Sequence, residues 1–281
     1  MGKPIVSIIV PCYNVEKFVA ETLDSVLHQT FEEWEAICVN DGSTDDTERI
    51  ISSYAKREKR IRVLNQPNGG VPKARNNGIH IASGKYLLCL DSDDLIAPDY
   101  LSVAVEYMEG HADCTLFIGR KRSFDSETRA ELPDSSGNYS TYRNLLLYGQ
   151  WVTAMFRKDD CDRVGGFDEA CPLCEDWEFC IRLLYGEKKV YTSDKQLYYY
   201  RRNGNANALT KQAGKRLDSI TTYIYRKHID IYTEYFGNQV FNLRSLENLS
   251  WANRRLPQLA HRIQERWQKF VNFDRHWFSF R

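Results

Sequence analysis

Long apolar runs and an excess of one charge are both missing from this sequence. No apolar run in its 281 residues approaches the roughly 20 that a membrane-spanning helix needs. The first residues lack the basic and then apolar build of a secretory signal. The 38 Lys and Arg residues balance the 38 Asp and Glu residues, which argues against a general nucleic-acid-binding protein. We therefore expect a cytoplasmic protein.

Cysteine patterns typical of disulfides or zinc are also missing. The cysteines are scattered, and several lie inside apolar runs, as small core residues do in a reducing compartment. Cys171 and Cys174 form a close pair, but without a second pair or a nearby His the pair is weak evidence for zinc or redox chemistry. Internal repeats and low-complexity segments are absent as well. The composition is that of an ordinary globular protein.

The first hundred residues alternate short apolar runs with amphipathic segments. This pattern predicts an α/β fold with a mostly parallel central sheet flanked by helices. The predicted strands are Ile5–Val10, Glu35–Asn40, Ile61–Asn65 and Lys85–Leu90. The predicted helices are Phe18–Leu27, Thr44–Tyr54 and Pro72–Ala82. We assign residues 1–112 to a nucleotide-binding half.

The pattern is less regular over residues 113–205. Extended segments are predicted at Cys114–Ile118, Trp151–Phe156 and 189–201, with an irregular excursion over 120–150. A turn at Gly165 and Gly166 precedes a helix marked by the stripe Trp177, Cys180, Ile181 and Leu184. Residues 206–281 are predicted to form a helical C-terminal extension, with helices at Lys215–Phe236 and Leu243–Phe270.

An acidic cluster follows the fourth predicted strand, where Leu90 is succeeded by Asp91, Ser92, Asp93 and Asp94. The carboxyl ends of strands are where open α/β sheets bind ligands. Clustered carboxylates repel one another unless a cation lies among them, and oxygen ligands suit Mg²⁺ or Mn²⁺. A solvated turn whose acids cap the next helix is the alternative.

Two further polar segments are predicted at the same sheet edge. The first strand leads into Pro11 and Tyr13, and the second leads into Asp41. An aromatic ring, a carboxylate that accepts from a base N–H and a pair of metal-binding acids together predict a nucleoside diphosphate pocket.

The motifs resemble those of a known enzyme family. They are VSIIVPCYN from Val6, VNDGSTDDT from Val39, ARNNG from Ala74, LDSDD from Leu90, GGFDE from Gly165 and CEDWEF from Cys174. In this order they resemble the family 2 inverting glycosyltransferases of GT-A fold, over residues 4–205. The resemblance implies a catalytic domain over residues 1–205, in which residues 113–205 form the acceptor half. It also implies a nucleotide-sugar donor, most often UDP-linked, and Mn²⁺ or Mg²⁺ as cofactor.

The resemblance also implies roles for individual residues. It makes Asp176 the catalytic base. Asp93 is implied as the metal ligand. The nucleotide-binding set is Pro11, Tyr13 stacking on uracil, Asp41 bonding the base, Arg75 near the nucleoside and Asp91 near the ribose. Arg201 and Arg202 are candidates for diphosphate contacts, because a guanidinium fork suits phosphate, and solvated surface is their alternative.

The C-terminal segment 251–281 is basic and aromatic. Leu256, Leu259, Ile263, Trp267 and Phe270 fall on one helical stripe flanked by basic residues. Such a helix packs on the catalytic domain or on a second copy in a homodimer, or it lies on the anionic inner face of the plasma membrane.

The sequence thus predicts a metal-dependent inverting glycosyltransferase of surface polysaccharide synthesis, either hexosyl- or N-acetylhexosaminyl-transferring. Its acceptor is expected to be a glycan or a lipid-linked glycan. Two alternatives stay open: a phosphotransferase or phosphatase with an Asp nucleophile, and a non-catalytic protein that binds nucleotide sugars or glycans.

Overall fold

The computed structural model describes residues 2–125, 131–132, 142, 145–146, 154–186, 189–202 and 216–236. Over these ranges the chain forms one mixed sheet. Its strands are β1 (Val6–Cys12), β2 (Trp34–Asp41), β3 (Ile61–Gln66), β4 (Tyr86–Cys89), β5 (Leu95–Ile96), β6 (Cys114–Asp125), β7 (Glu131–Leu132), β8 (Ala154–Arg157) and β9 (Lys189–Arg202). The strand order is β3-β2-β1-β4-β8-β6-β9-β5, with β7 paired to β6.

Helices connect these strands or follow them in the chain. Their bounds are α1 (Val19–Leu27), α2 (Thr47–Arg57), α3 (Val71–His80), α4 (Tyr100–Gly110), α5 (Lys158–Val164), α6 (Glu175–Leu183), α7 (Arg216–Lys227) and α8 (Ile229–Phe236). None of the helices in the described ranges combines the length and apolar character of a membrane-crossing segment.

The first half of the sheet is parallel, as predicted. β1 pairs in parallel with β2 and with β4, and β2 pairs in parallel with β3. Every residue of β1, β2 and β4 is buried, as expected for strands covered on both faces. The predicted α/β architecture is confirmed, and the carboxyl ends of three neighbouring strands share one edge.

The second half brings two distant segments back to that edge. β8 runs antiparallel to β4, and β6 runs antiparallel to β8. β9 then pairs in parallel with β6 and, at its far end, antiparallel with β5, just beyond the acidic turn. The end of β9 therefore lies next to Asp91–Asp94.

Several elements differ from the predictions. The short strands β5 and β7 were not predicted, and the predicted helix Lys215–Phe236 is divided into α7 and α8. The α4 helix was not predicted, although Leu101, Ala104, Val105 and Met108 recur at helical spacing and are buried. The short α5 was also missed. The strand predicted at Cys114–Ile118 continues to Asp125, because its polar second half pairs with β9 along its whole length. The first part of the predicted irregular excursion is therefore ordered strand.

The chain divides into two compact units, Met1–Arg226 and Lys227–Arg281. This division does not test the predicted boundary at residue 205, which stays a prediction. The predicted helix Leu243–Phe270 and the segment 251–281 lie outside the described residues.

Close packing of α3 on the sheet gives a stability prediction. A Cβ added at Gly78 would lie 2.6 Å from Ile9 Cγ2 and 3.1 Å from Val39 Cγ2. We expect Gly78→Ala to lower the free energy of unfolding by about 1–3 kcal/mol, since the core cannot absorb an extra methyl group. Gly110→Ala is the control, because no atom lies within 4 Å of its added Cβ. Equal urea midpoints for the two variants would contradict this packing.

Candidate active site

Tyr13 directly follows β1, and Asp41 is the last residue of the adjacent parallel strand β2. Cys12 of β1 is in register with Asn40 of β2, so the next residues, Tyr13 and Asp41, emerge side by side. Tyr13 is 45% exposed, whereas Pro11 before it is buried in the strand. The structure therefore brings together a ring available for stacking and a carboxylate, as predicted.

The loops after β1 and β2 are held to each other by hydrogen bonds. Asn14, at a φ of 51°, accepts at its Oδ1 from the Thr44 backbone N–H at 2.8 Å. The Val15 N–H donates to Thr47 Oγ1 at 2.9 Å. These bonds keep residues 43–46 out of helix, which explains why α2 begins at Thr47 and not at the predicted Thr44. The loop that carries Tyr13 is thereby fixed.

The Asp41 carboxylate binds the loop between β3 and α3. Its Oδ1 accepts from Gln66 Nε2 and from the Gly69 backbone N–H, both at 2.7 Å. Its Oδ2 accepts from the Gly70 N–H at 2.8 Å. Gly70 has a φ of 85°, which side-chain-bearing residues rarely adopt. Asp41 thus shapes the wall of the candidate base site.

The acidic turn after β4 contains carboxylates in different environments. Asp94 is buried, and it accepts from the Tyr198 hydroxyl and from the Arg201 backbone N–H. Burial raises its pKa well above the usual range, and repulsion from Asp93 adds to this. Burial and repulsion from Asp91 raise the pKa of Asp93 to about 6. Within the described residues, no other residue donates a hydrogen bond to the Asp93 carboxylate.

Arg201 supports this turn from β9. Its Nε donates to the Asp93 carbonyl at 2.6 Å, and its Nη2 donates to Glu21 Oε2 at 2.9 Å. Its guanidinium also lies over the rings of Phe18 and Phe124. The structure therefore places Arg201 beneath the acidic turn. Arg202 ends β9, in register with Asp125. Contact of either arginine with a diphosphate stays a prediction.

Arg75 joins the acidic turn to the start of α6. This buried side chain donates from Nη2 to Asp91 Oδ1 and from Nη1 to Glu175 Oε1, both at 2.7 Å. The two carboxylates raise its pKa against the opposing effect of burial, so the guanidinium stays charged. Its Nε–H has no hydrogen-bond partner among the described residues. This one side chain thus fixes the spacing between the Asp91–Asp94 turn and the Glu175–Asp176 pair.

The neighbouring asparagine of the ARNNG motif holds the GGFDE loop. Asn76 accepts at Oδ1 from the Phe167 backbone N–H and donates from Nδ2 to the Phe167 carbonyl, both at 2.8 Å. From the other side Arg182, paired with the fully buried Glu178, donates to the carbonyls of Val164 and Gly166. Asn76 and Arg182 together therefore hold the beginning of the loop that precedes α6.

Asp176 lies in the first turn of α6. Burial raises its pKa to about 7, and repulsion from Glu175 adds to the effect while Arg75 opposes it. Phe167 and Phe179 line a pocket with Asp176, so aromatic rings border the carboxylate. Trp177 instead donates its indole N–H to the Leu145 carbonyl. A carboxylate with a pKa near neutrality is suited to accept a proton at physiological pH.

The Cys171 and Cys174 pair gives no sign of metal or redox chemistry. Burial raises the pKa of Cys171 to about 12 and that of Cys174 to about 11, so both thiols stay protonated at neutral pH. No group of three or more His, Cys, Asp or Glu side chains is arranged to hold a metal within the described ranges.

Sequence reasoning missed the side chains that hold the site together. Glu175, Asn76 and Tyr198 make contacts with residues about 100 positions away, which no local pattern reveals. Glu175 lies inside the CEDWEF motif and Asn76 inside the ARNNG motif, in which other residues were assigned roles. This was their only sequence signal. The predicted residues Tyr13, Asp41, Arg75, Asp91 and Asp93 do lie on the predicted edge.

Comparisons with known proteins agree with this geometry. The family model for glycosyl transferase family 2 matches residues 7–165. The uncharacterized glycosyltransferase EpsJ of Bacillus subtilis (strain 168) is 33% identical over 246 residues, which is 83% of this chain and 71% of EpsJ. The minor teichoic acid biosynthesis protein GgaB of the same strain is 29% identical over 235 residues, 79% of this chain but 26% of GgaB.

A solved structure shows the same fold. The crystal structure of S. aureus TarS 1-349 in complex with UDP-GlcNAc superposes with a TM-score of 0.61 at 29% identity. The match covers 71% of this chain and 59% of that TarS chain. This chain therefore spans less than two thirds of both GgaB and the TarS fragment. With a family model that matches more than half of its length, the chain belongs to glycosyl transferase family 2.

Proposed function

We propose that this chain is an inverting glycosyltransferase that moves a sugar from a UDP-sugar to an acceptor hydroxyl by single displacement. The observation that carries the proposal is the Arg75 bridge, which holds Asp176 at a set position relative to the Asp91–Asp94 turn. A proton acceptor and a cluster of acids thereby border one site. An inverting displacement needs a base for the attacking hydroxyl and, on the opposite side of the anomeric carbon, stabilisation of the leaving diphosphate, which a cation held by the acids would supply.

The donor is proposed to bind at the edge formed by Tyr13 and Asp41. The exposed Tyr13 ring offers a stacking face for a base, and the adjacent carboxylate accepts from a base N–H. Asp91, held by Arg75, faces the ribose. TarS, crystallised with UDP-GlcNAc, supports a UDP-linked donor.

The acidic turn is proposed to hold Mn²⁺ or Mg²⁺. The residues present fit such an ion: Asp93 has a pKa of about 6 because neighbouring charge and burial oppose its ionisation, and a cation would relieve both. Mg²⁺-type sites take one or two carboxylates, with substrate phosphates completing the shell. When bound, the ion neutralises charge on the departing diphosphate. Asp93 would be its protein ligand.

Asp176 is proposed to take the proton of the acceptor hydroxyl as that oxygen attacks. Its pKa of about 7 makes it partly ionised and a stronger base than an ordinary carboxylate. The opposing charge of Arg75 keeps the pKa from rising further, and Glu175 supplies the partner that keeps Arg75 in place.

The acceptor is proposed to be a glycan or lipid-linked glycan of a surface polysaccharide, acting at the cytoplasmic side of the membrane. The relative GgaB, named for minor teichoic acid biosynthesis, supports this class of pathway. The basic and aromatic segment 251–281 is proposed as a contact with the membrane or with a second copy, on its sequence pattern alone. The phosphotransferase or phosphatase alternative loses support because the chain belongs to glycosyl transferase family 2, and the non-catalytic alternative is tested by the Asp176→Asn variant.

The role of Asp176 predicts a split between turnover and binding. With UDP-GlcNAc as first donor and UDP release as readout, Asp176→Asn should lower kcat by about 100-fold or more, because general-base assistance is lost. The Kd for UDP should stay within about twofold, since the base contacts the acceptor. Asp159→Asn, an exposed acid in the first turn of α5, is the matched control and should keep full activity.

The same residue predicts a pH dependence. Asp176 acts only when ionised, so kcat/KM should fall about tenfold per pH unit as the pH drops below about 7. A flat profile between pH 5 and 8, or more than a tenth of the activity left in Asp176→Asn, would refute this role.

Metal-assisted donor binding predicts a difference in thermal stability. UDP at about 100 times its Kd should raise the Tm by about 5–10 °C with Mn²⁺ present and by much less with EDTA. Asp93→Ala should remove the Mn²⁺-dependent part of the shift. Asp99→Ala, in the next loop, should leave that part intact. A shift that ignores EDTA in the unmodified protein would argue against the metal.

A further inference from the structure

The carboxylate of Asp41 has little hydrogen-bonding capacity left. A carboxylate offers about four acceptor positions, two on each oxygen. Among the described residues, Gln66 and Gly69 occupy both positions of Oδ1, and Gly70 occupies one of Oδ2. Asp41 is 3% exposed, so water has little access. One acceptor position on Oδ2 is what remains for a ligand.

Gln66 is oriented by a second amide. Asn77 Nδ2 donates to Gln66 Oε1 at 2.6 Å, and Gln66 Nε2 then donates to Asp41 Oδ1 at 2.7 Å. The direction of this relay is fixed, because a flipped Gln66 amide would turn its oxygen toward a carboxylate that only accepts. Asn77 belongs to α3, the helix that also carries Arg75. The relay therefore fixes Asp41 from the same helix that spaces the two halves of the site.

One remaining acceptor position selects among bases by simple chemistry. The edge of uracil presents a single N–H, at N3, flanked by two carbonyls. Guanine presents two adjacent donors, N1–H and the N2 amino group, and would need acceptors on both carboxylate oxygens. Cytosine presents an unprotonated N3, which would face the carboxylate lone pair without a hydrogen. Of these three bases only uracil matches a carboxylate with one open position, and thymine shares its N3–H edge.

We propose that Gln66 and Asn77 are positioning residues that restrict the base site to uracil, or to thymine with the same edge, by occupying the Oδ1 side of Asp41. This inference rests on the proposed function, because it assumes that a nucleotide base meets Asp41. The relay does not contact the base in this account. It acts by leaving one acceptor position where an unsupported carboxylate would offer two.

The relay predicts a change in selectivity on top of a change in affinity. Gln66→Leu frees an acceptor position on Oδ1 and removes one hold on the carboxylate. The Kd for UDP should rise about tenfold, while the Kd for GDP should fall or stay unchanged because guanine gains its second acceptor. Asn77→Leu leaves Gln66 in place without its anchor, so the same changes should be smaller, about threefold.

The test is isothermal titration of the full chain with UDP, GDP and CDP in Mn²⁺. Asn65→Leu is the matched control, because Asn65 lies next to Gln66 on β3 but bonds Asn40 and Glu48. The unmodified protein and this control should bind UDP at least about 100-fold more tightly than GDP or CDP, since a site built for one donor rejects bases that leave it unpaired. Gln66→Leu should narrow the UDP-to-GDP ratio by about tenfold or more.

The outcomes separate this inference from the proposed function. A purely structural role would weaken all three nucleotides by one factor and leave their ratio unchanged, which would overturn the inference. Preference of the unmodified protein for GDP would overturn it too, while leaving glycosyl transfer intact. Failure of every nucleotide to bind the unmodified protein would refute the proposed function itself. If Gln66→Leu does not fold, the milder Asn77→Leu decides by the same ratio.

Discussion

The site depends on one buried guanidinium. Arg75 must be paired because an unpaired charge inside the protein is very costly. Its two partners come from distant parts of the chain. Asp91 follows the parallel strand β4, and Glu175 opens α6. The pairing therefore ties the acidic turn to the candidate base Asp176, and it sets the electrostatics of both. Arg75 lowers the pKa of Asp176, and Glu175 raises it.

The short motif ARNNG on α3 extends this organisation in three directions. Arg75 pairs with the two acids, Asn76 holds the GGFDE loop, and Asn77 orients Gln66 toward Asp41. Gly78 lets the helix approach β1 and β2 closely enough for these contacts. Because these residues lie on one rigid helix, the short motif reaches the base site, the acidic turn and the loop before α6 at once. A change in its packing would shift all three together.

The sequence allowed the parallel half of the sheet and the convergence of its strand ends to be predicted, because apolar runs and polar ends are local signals. Tyr13, Asp41, Asp91 and Asp93 lie where this reasoning placed them. The contacts that tune them were not predictable, since Arg75 and Glu175 are 100 residues apart in sequence. Arg201 shows the same limit: its type suggested phosphate, and its position beneath the turn came from the pairing of β9 with β5.

The central claim is that Arg75 couples Asp91 to Glu175. A double-mutant cycle in urea with Asp91→Asn, Glu175→Gln and the combined variant measures this coupling directly. Each single variant leaves Arg75 one hydrogen-bonded carboxylate. The combined variant leaves the buried guanidinium without a hydrogen-bonded carboxylate. We expect the loss of unfolding free energy in the combined variant to exceed the sum of the single losses by about 1 kcal/mol or more. Additive losses would contradict the account.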